Sequence, residues 1–180
     1  SAWLGGWYHP PCSVLWSRAA YQRSGGWDPD LAVNQDGDVM MRGLARGNVL
    51  ARTASGAAFY RRLPGGGSLS GTARSERGVA ARLEVNARII DLLEGSGRLP
   101  RYRSALAGSL ERIACDIPSD AEALRTRCAD LALRLGNVPD VAQARPRWPT
   151  GSGPPGPDPH TRPSIASSAN RPDLRVSVVI

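Results

Sequence analysis

Gly25-Gly26-Trp27-Asp28 is followed, seven residues after Asp28, by Gln35-Asp36-Gly37-Asp38-Val39-Met40-Met41-Arg42. These two stretches decide the reading of the chain. Paired glycines stop a helix and an Asp-Pro-Asp turn (residues 28–30) follows them. From Asn34 the apolar positions Val39, Met40 and Leu44 have helical spacing, and Gly47 ends the run. Asp36 and Asp38 therefore fall in the first turn of a helix, beside free backbone N–H groups and the positive end of its dipole. On spacing alone both read as helix caps. A catalytic carboxylate in this place would need a substrate hydroxyl within reach and a pKa set by its surroundings. Arg42 stands four residues after Asp38, the spacing of an ion pair along a helix face.

Upstream, Cys12 to Trp16 is a short apolar run that predicts a buried strand, and Ser17 is placed to cap a helix over Ser17–Arg23. Downstream, Val49–Arg52 and Ala57–Arg61 read as two strands, followed by the loop Pro64-Gly65-Gly66-Gly67-Ser68. Residues 76–136 are helical. Val79, Leu83, Asn86, Ile90 and Leu93 alternate steps of three and four, and Gly95 and Gly97 close that helix. Tyr102, Leu106, Leu110 and Ile113 stripe a second helix from about Arg101 to Ala114. Ser119 with Glu122 predicts a capping box for a third, which carries Leu124, Cys128, Leu131 and Leu135. Residues 137–172 hold nine of the 15 prolines and almost no large aliphatic side chains. Such a segment buries too little apolar surface to offset its ordering entropy, which predicts a disordered linker. The β-branched ending Leu174-Arg175-Val176-Ser177-Val178-Val179-Ile180 reads as a strand. A chain that begins at Ser1 in an apolar aromatic stretch and ends inside a strand predicts an internal piece of a longer protein.

The 180 residues carry a net charge of +7, from 23 basic and 16 acidic side chains. Every basic residue is Arg. Nucleic-acid binders use Lys and Arg alike, because phosphates accept either cation. The charge is also spread: +4 over residues 1–75, +1 over 76–136 and +2 over 137–180. The high pI thus reads as the composition of a GC-rich genome, and no block forms a basic arm. No apolar run reaches the roughly 20 residues of a membrane span. Three cysteines, Cys12, Cys115 and Cys128, form no CxxC pair. They read as buried, inert thiols in a reducing cytoplasm. His9 is a lone histidine with a structural or exposed role, and His160 falls in the linker with no specific role.

Taken in order, Ser13 to Tyr21, Gly25-Gly26-Trp27-Asp28 and Gln35-Asp36-Gly37-Asp38 with Arg42 and Gly47 resemble the C-terminal half of the catalytic domain of family 2 glycosyltransferases. The resemblance implies an α/β fold: a partial GT-A (Rossmann-like) sheet in residues 1–75, then a helical extension and the disordered Pro-rich linker. It implies inverting transfer of a sugar from a nucleotide-sugar donor to a hydroxyl of a glycan or lipid-linked acceptor. Asp36 matches the family's general base. Trp27 matches an aromatic of the acceptor pocket, with Asp28 and Gln35 beside it. Gln35 stands where Glu is common, which removes an anionic neighbour from Asp36. Phe59-Tyr60-Arg61-Arg62-Leu63-Pro64 with Ser68 resembles the region near the donor diphosphate. There Arg61, Arg62 and Ser68 would meet phosphate.

Leu63 stands about where the family often has a His, and Leu cannot ligate metal. The resemblance therefore places the ligands of a divalent Mg or Mn mostly outside this chain. The family's nucleotide-binding half would precede Ser1, and the fragment by itself would be inactive. Residues 173–180 resemble the opening strand of a further such domain, which implies tandem domains. Peripheral membrane contact remains compatible with these features. The competing reading is a non-catalytic helical interaction module in residues 76–136.

Overall fold

The computed structural model describes residue 4, residues 10–52, residue 58, residues 69–136 and residues 177–179. The Arg61, Arg62, Leu63 and Ser68 assignments, the Ala57–Arg61 strand, the Gly65–Gly67 loop, the 137–172 linker and both histidines lie outside the described residues. Among the described residues five α-helices carry the architecture: α1 (Arg18–Ser24), α2 (Gln35–Ala45), α3 (Glu76–Gly95), α4 (Leu99–Ala114) and α5 (Glu122–Arg134). Three strands of three residues each, β1 (Val14–Trp16), β2 (Leu50–Arg52) and β3 (Ser177–Val179), make one small sheet in the order β1-β3-β2. β3 is parallel to β1, with Leu15 opposite Val178, and antiparallel to β2, with Ala51 opposite Val178.

The expected α/β fold with a partial Rossmann-like sheet is therefore corrected to a mostly helical one. Each strand pairs over three residues, too short to bury a layer, and the central strand comes from the far end of the chain. Local signals in residues 17–47 favour helices instead. Ser17 Oγ accepts from the Ala20 N–H at 3.1 Å, and Gly25 ends α1 with φ +85°. Gly47 ends the α2 turn with φ +91°. Nor is the Cys12–Trp16 run a buried strand: Leu15 is 62% exposed and Cys12 is exposed. Val14 and Trp16 are half-buried, packed on Ala20 and Met40, and the run's buried residue is the polar Ser13.

The main core lies among α2 to α5. The α3 stripe is buried throughout, with Val79, Leu83 and Ile90 fully enclosed and Asn86 and Leu93 nearly so. Val85 and Ile89 are buried too, so α3 is covered on more than one face. It packs against α2, α4 and α5. Leu106, Leu110 and Ile113 of α4 meet Cys128 and Leu131 of α5, with Leu135 beyond its end. Met41 and Ala45 of α2, with Leu31 and Val33, join the same core. At α3 the Gly78 N–H donates to the Ser75 cap at 3.1 Å. The expected Ser119–Glu122 capping box does not form. The N-cap position is Ala121, without a side-chain cap. Arg125 instead donates to the carbonyls of Pro118 (2.9 Å) and Ser119, taking up the turn before α5.

Candidate functional site

The loop 25–30 and the first turns of α2 lie together, joined by two arginines. Gly25 and Gly26 both have positive φ, +85° and +72°, a conformation that costs glycine nothing. A Cβ at Gly25 would also lie 2.9 Å from the Arg42 and Arg46 guanidinium nitrogens. The turn they make presents the Ser24 and Gly26 carbonyls to Arg42, which donates to both, the latter at 2.7 Å. From its other edge Arg42 Nε donates to Asp38 Oδ2 at 2.9 Å, and Nη2 donates to the same oxygen. Asp38 is fully buried and Arg42 nearly so. The (i, i+4) pair is thus also a clamp that ties α2 to the end of α1.

Asp38 Oδ1 is buried without a hydrogen-bond partner, and Arg88 Nη1 of α3 stands 3.9 Å from it. The same Arg88 nitrogen donates to Asp28 Oδ2, and Arg88 Nε donates to Glu84 Oε1 at 3.0 Å. Glu84 also accepts from Arg127 of α5. Asp28 Oδ1 accepts from the Asp30 N–H at 2.9 Å. The bond from Arg88, and then that from Asp30, holds the Asp28 carboxyl below its ordinary value. Arg127, more than Arg88, does the same for Glu84.

Trp27 stands on this loop with its side chain 45% exposed, which rules out plain core packing. The Trp27 backbone N–H donates to the Tyr21 hydroxyl at 2.9 Å, and Tyr21 packs edge-on against Trp16. Gln35 turns back, its amide donating to the Leu31 carbonyl at 2.7 Å. Asn34, before α2, has φ +64° and lies over Gly37, where any Cβ would overlap its Oδ1. Asp36 is partly exposed in the first turn of α2, and its carboxylate makes no hydrogen bond or ion pair among the described residues.

Of the residues singled out from sequence, the structure brings Trp27 and Asp28 onto one loop beside the helix that carries Gln35 and Asp36. Arg88 was not foreseen. Its only sequence signal is the (i, i+4) pair with Glu84, which says nothing of a partner 60 residues away. Among the described residues no three His, Cys, Asp or Glu side chains gather as a metal site. No helix among them is long and apolar enough to cross a membrane. The cysteines differ from one another. Cys12 is exposed and Cys115 partly so, while burial pushes the Cys128 thiol up to about 11. Compared with known proteins, the chain matches no family model, no curated protein and no solved structure.

Proposed function

We propose that this chain carries the acceptor side of an inverting sugar-transfer site, with Asp36 as the base. The observation that supports it most is a contrast between two carboxylates two residues apart. Asp38 is buried and taken up by Arg42, whereas Asp36 is partly exposed and unpartnered among the described residues. One carboxylate builds the site and the other is left able to act. In the proposed step the acceptor hydroxyl oxygen attacks the anomeric carbon and its proton passes to Asp36. The bond to the nucleotide diphosphate breaks with its electron pair leaving on the diphosphate. Trp27, exposed on the loop that Arg42 ties to this helix, offers a face for a sugar ring, with Asp28 next to it in the chain and Gln35 next to Asp36.

The donor-side roles of Arg61, Arg62 and Ser68, the divalent metal with ligands elsewhere, and a cytoplasmic setting belong to the same proposal. The alternative, a non-catalytic helical module, draws less support. The stripes of α3, α4 and α5 are buried against one another and against α2.

The test is turnover of nucleotide sugars by the full-length protein. Asp36→Asn is expected to lower kcat by about 10²–10⁴-fold, with the unfolding temperature unchanged because the side chain is partly exposed. Wild-type turnover in Asp36→Asn would remove the base, and with it this reading.

A further inference from the structure

The charges around the loop form a line that runs out of the helical block. Arg127 of α5 donates to Glu84, which accepts from Arg88, which in turn donates to Asp28 on the loop. Arg88 is also the cation standing near the unpartnered oxygen of Asp38. One guanidinium of α3 therefore faces carboxylates from three places: the 25–30 loop, α2, and its own helix. Its side chain is 35% exposed, while those of Asp28 and Asp38 are 17% and 0% exposed. Among the described residues the loop has few other hydrogen-bonded anchors. Arg42 holds the carbonyls of Ser24 and Gly26, upstream of Trp27, and Tyr21 accepts from the Trp27 N–H. Between Trp27 and the core residue Leu31, the side-chain tie to another element among the described residues is Asp28 on Arg88.

We propose that Arg88 is a positioning residue that makes α3 a wall of the site, holding Asp28 so that the exposed Trp27 keeps one orientation. In its effect on transfer this rests on the function proposed above. In its effect on Trp27 it does not. An arginine suits the task because its planar fork reaches Asp28 and Glu84 at once and keeps its charge at any working pH. A lysine offers one compact ammonium, whose three donors leave from a single nitrogen and do not span two carboxylates as the guanidinium edge does.

The test uses the intact protein labelled with 5-fluorotryptophan, with the Trp27 fluorine resonance identified by Trp27→Phe. Arg88→Met is expected to shift or broaden the Trp27 signal and leave the other four tryptophans in place. Asp28→Asn reaches the same pair from the loop side and leaves the α3 sequence and the Asp38 side chain unchanged. It should give the same spectral change, and the double variant should add nothing further. Arg88→Lys should recover part of the signal. In a transfer assay the acceptor KM of Arg88→Met and Asp28→Asn should rise roughly two- to fivefold, with kcat less affected.

An unmoved Trp27 resonance in folded Arg88→Met or Asp28→Asn would overturn the proposal. So would equal changes at all five tryptophans, which would mean general loosening of the fold. If Asp36→Asn keeps full turnover, the sugar-transfer reading fails while the Trp27 spectra still decide the role of Arg88.

Discussion

Asp38 and Arg42 show how much one buried pair can settle. Asp38 is fully enclosed, and Arg42 spends its donors on Asp38 and on two loop carbonyls. Arg42→Met would leave the buried carboxylate without that partner. We expect a loss of about 3–5 kcal/mol, read as a lower urea midpoint with unchanged slope. The (i, i+4) spacing made the pair legible in the sequence, but its burial and its hold on Ser24 and Gly26 were not, because those carbonyls arrive from another element. The cysteines divide along the same line. A free thiol reacts as its thiolate, so accessibility and a raised pKa act together. Cys12 should label within the mixing time of a thiol reagent, and Cys128, buried with its Sγ directed at the Leu110 carbonyl, only on unfolding. Equal labelling rates in the native protein would contradict the packing of α5 on α4.

At the scale of elements, helix stops and caps were the most readable features. Gly25, Gly47 and Gly97 end helical segments in left-handed conformations, as expected of glycines there. Gly78 carries the opposite lesson. It sits in the first turn of α3, where propensity alone would favour Ala by about 1 kcal/mol. A Cβ there would lie 2.2 Å from the Thr72 carbonyl oxygen and 2.8 Å from the Ala73 backbone. Gly78→Ala is therefore expected to destabilise, by roughly 1–3 kcal/mol, and a rise in thermal midpoint would count against this approach of the backbone. The failed Ser119–Glu122 box has a related cause. The Pro118–Asp120 turn closes on itself, with the Ala121 N–H donating to Pro118 at 3.1 Å, so the N-cap falls at Ala121, two residues later than the motif implies.

For the whole molecule, helix faces rather than a sheet supply the core. Three-residue strands contribute a minor cluster about Ala20 and Met40, apart from the larger one in α2 to α5. Deleting residues 173–180 should accordingly leave the far-ultraviolet helix signal almost intact. It should speed amide exchange at Val14–Trp16 and Leu50–Arg52, which lose their pairing strand. Loss of helix on this deletion would show that the sheet supports the core.

The charge line from α5 to the loop makes stability depend on pH in a definite direction. Asp28 and Glu84 are held below their ordinary values of 3.8 and 4.5. Their contribution is full above those values and is lost as pH falls through the lower folded-state values. The urea midpoint should thus be flat on their account from neutrality to about pH 5 and decline below it. Arg88→Met should flatten the part of that decline due to Asp28.

By itself the sequence determined the local structure: where α1 to α5 begin and end within a few residues, and which faces of α3, α4 and α5 are apolar. Those features depend on backbone preference and on spacing along one segment, which neighbouring residues carry in full. Tertiary structure alone decided that short apolar runs such as Cys12–Trp16 would not build an α/β sheet. It decided that the last strand would lie between β1 and β2. It also decided that Asp28 would answer to Arg88. Each of these depends on which surfaces remain to be buried and which charges remain to be paired once the helices have packed, a balance set between segments far apart in the chain.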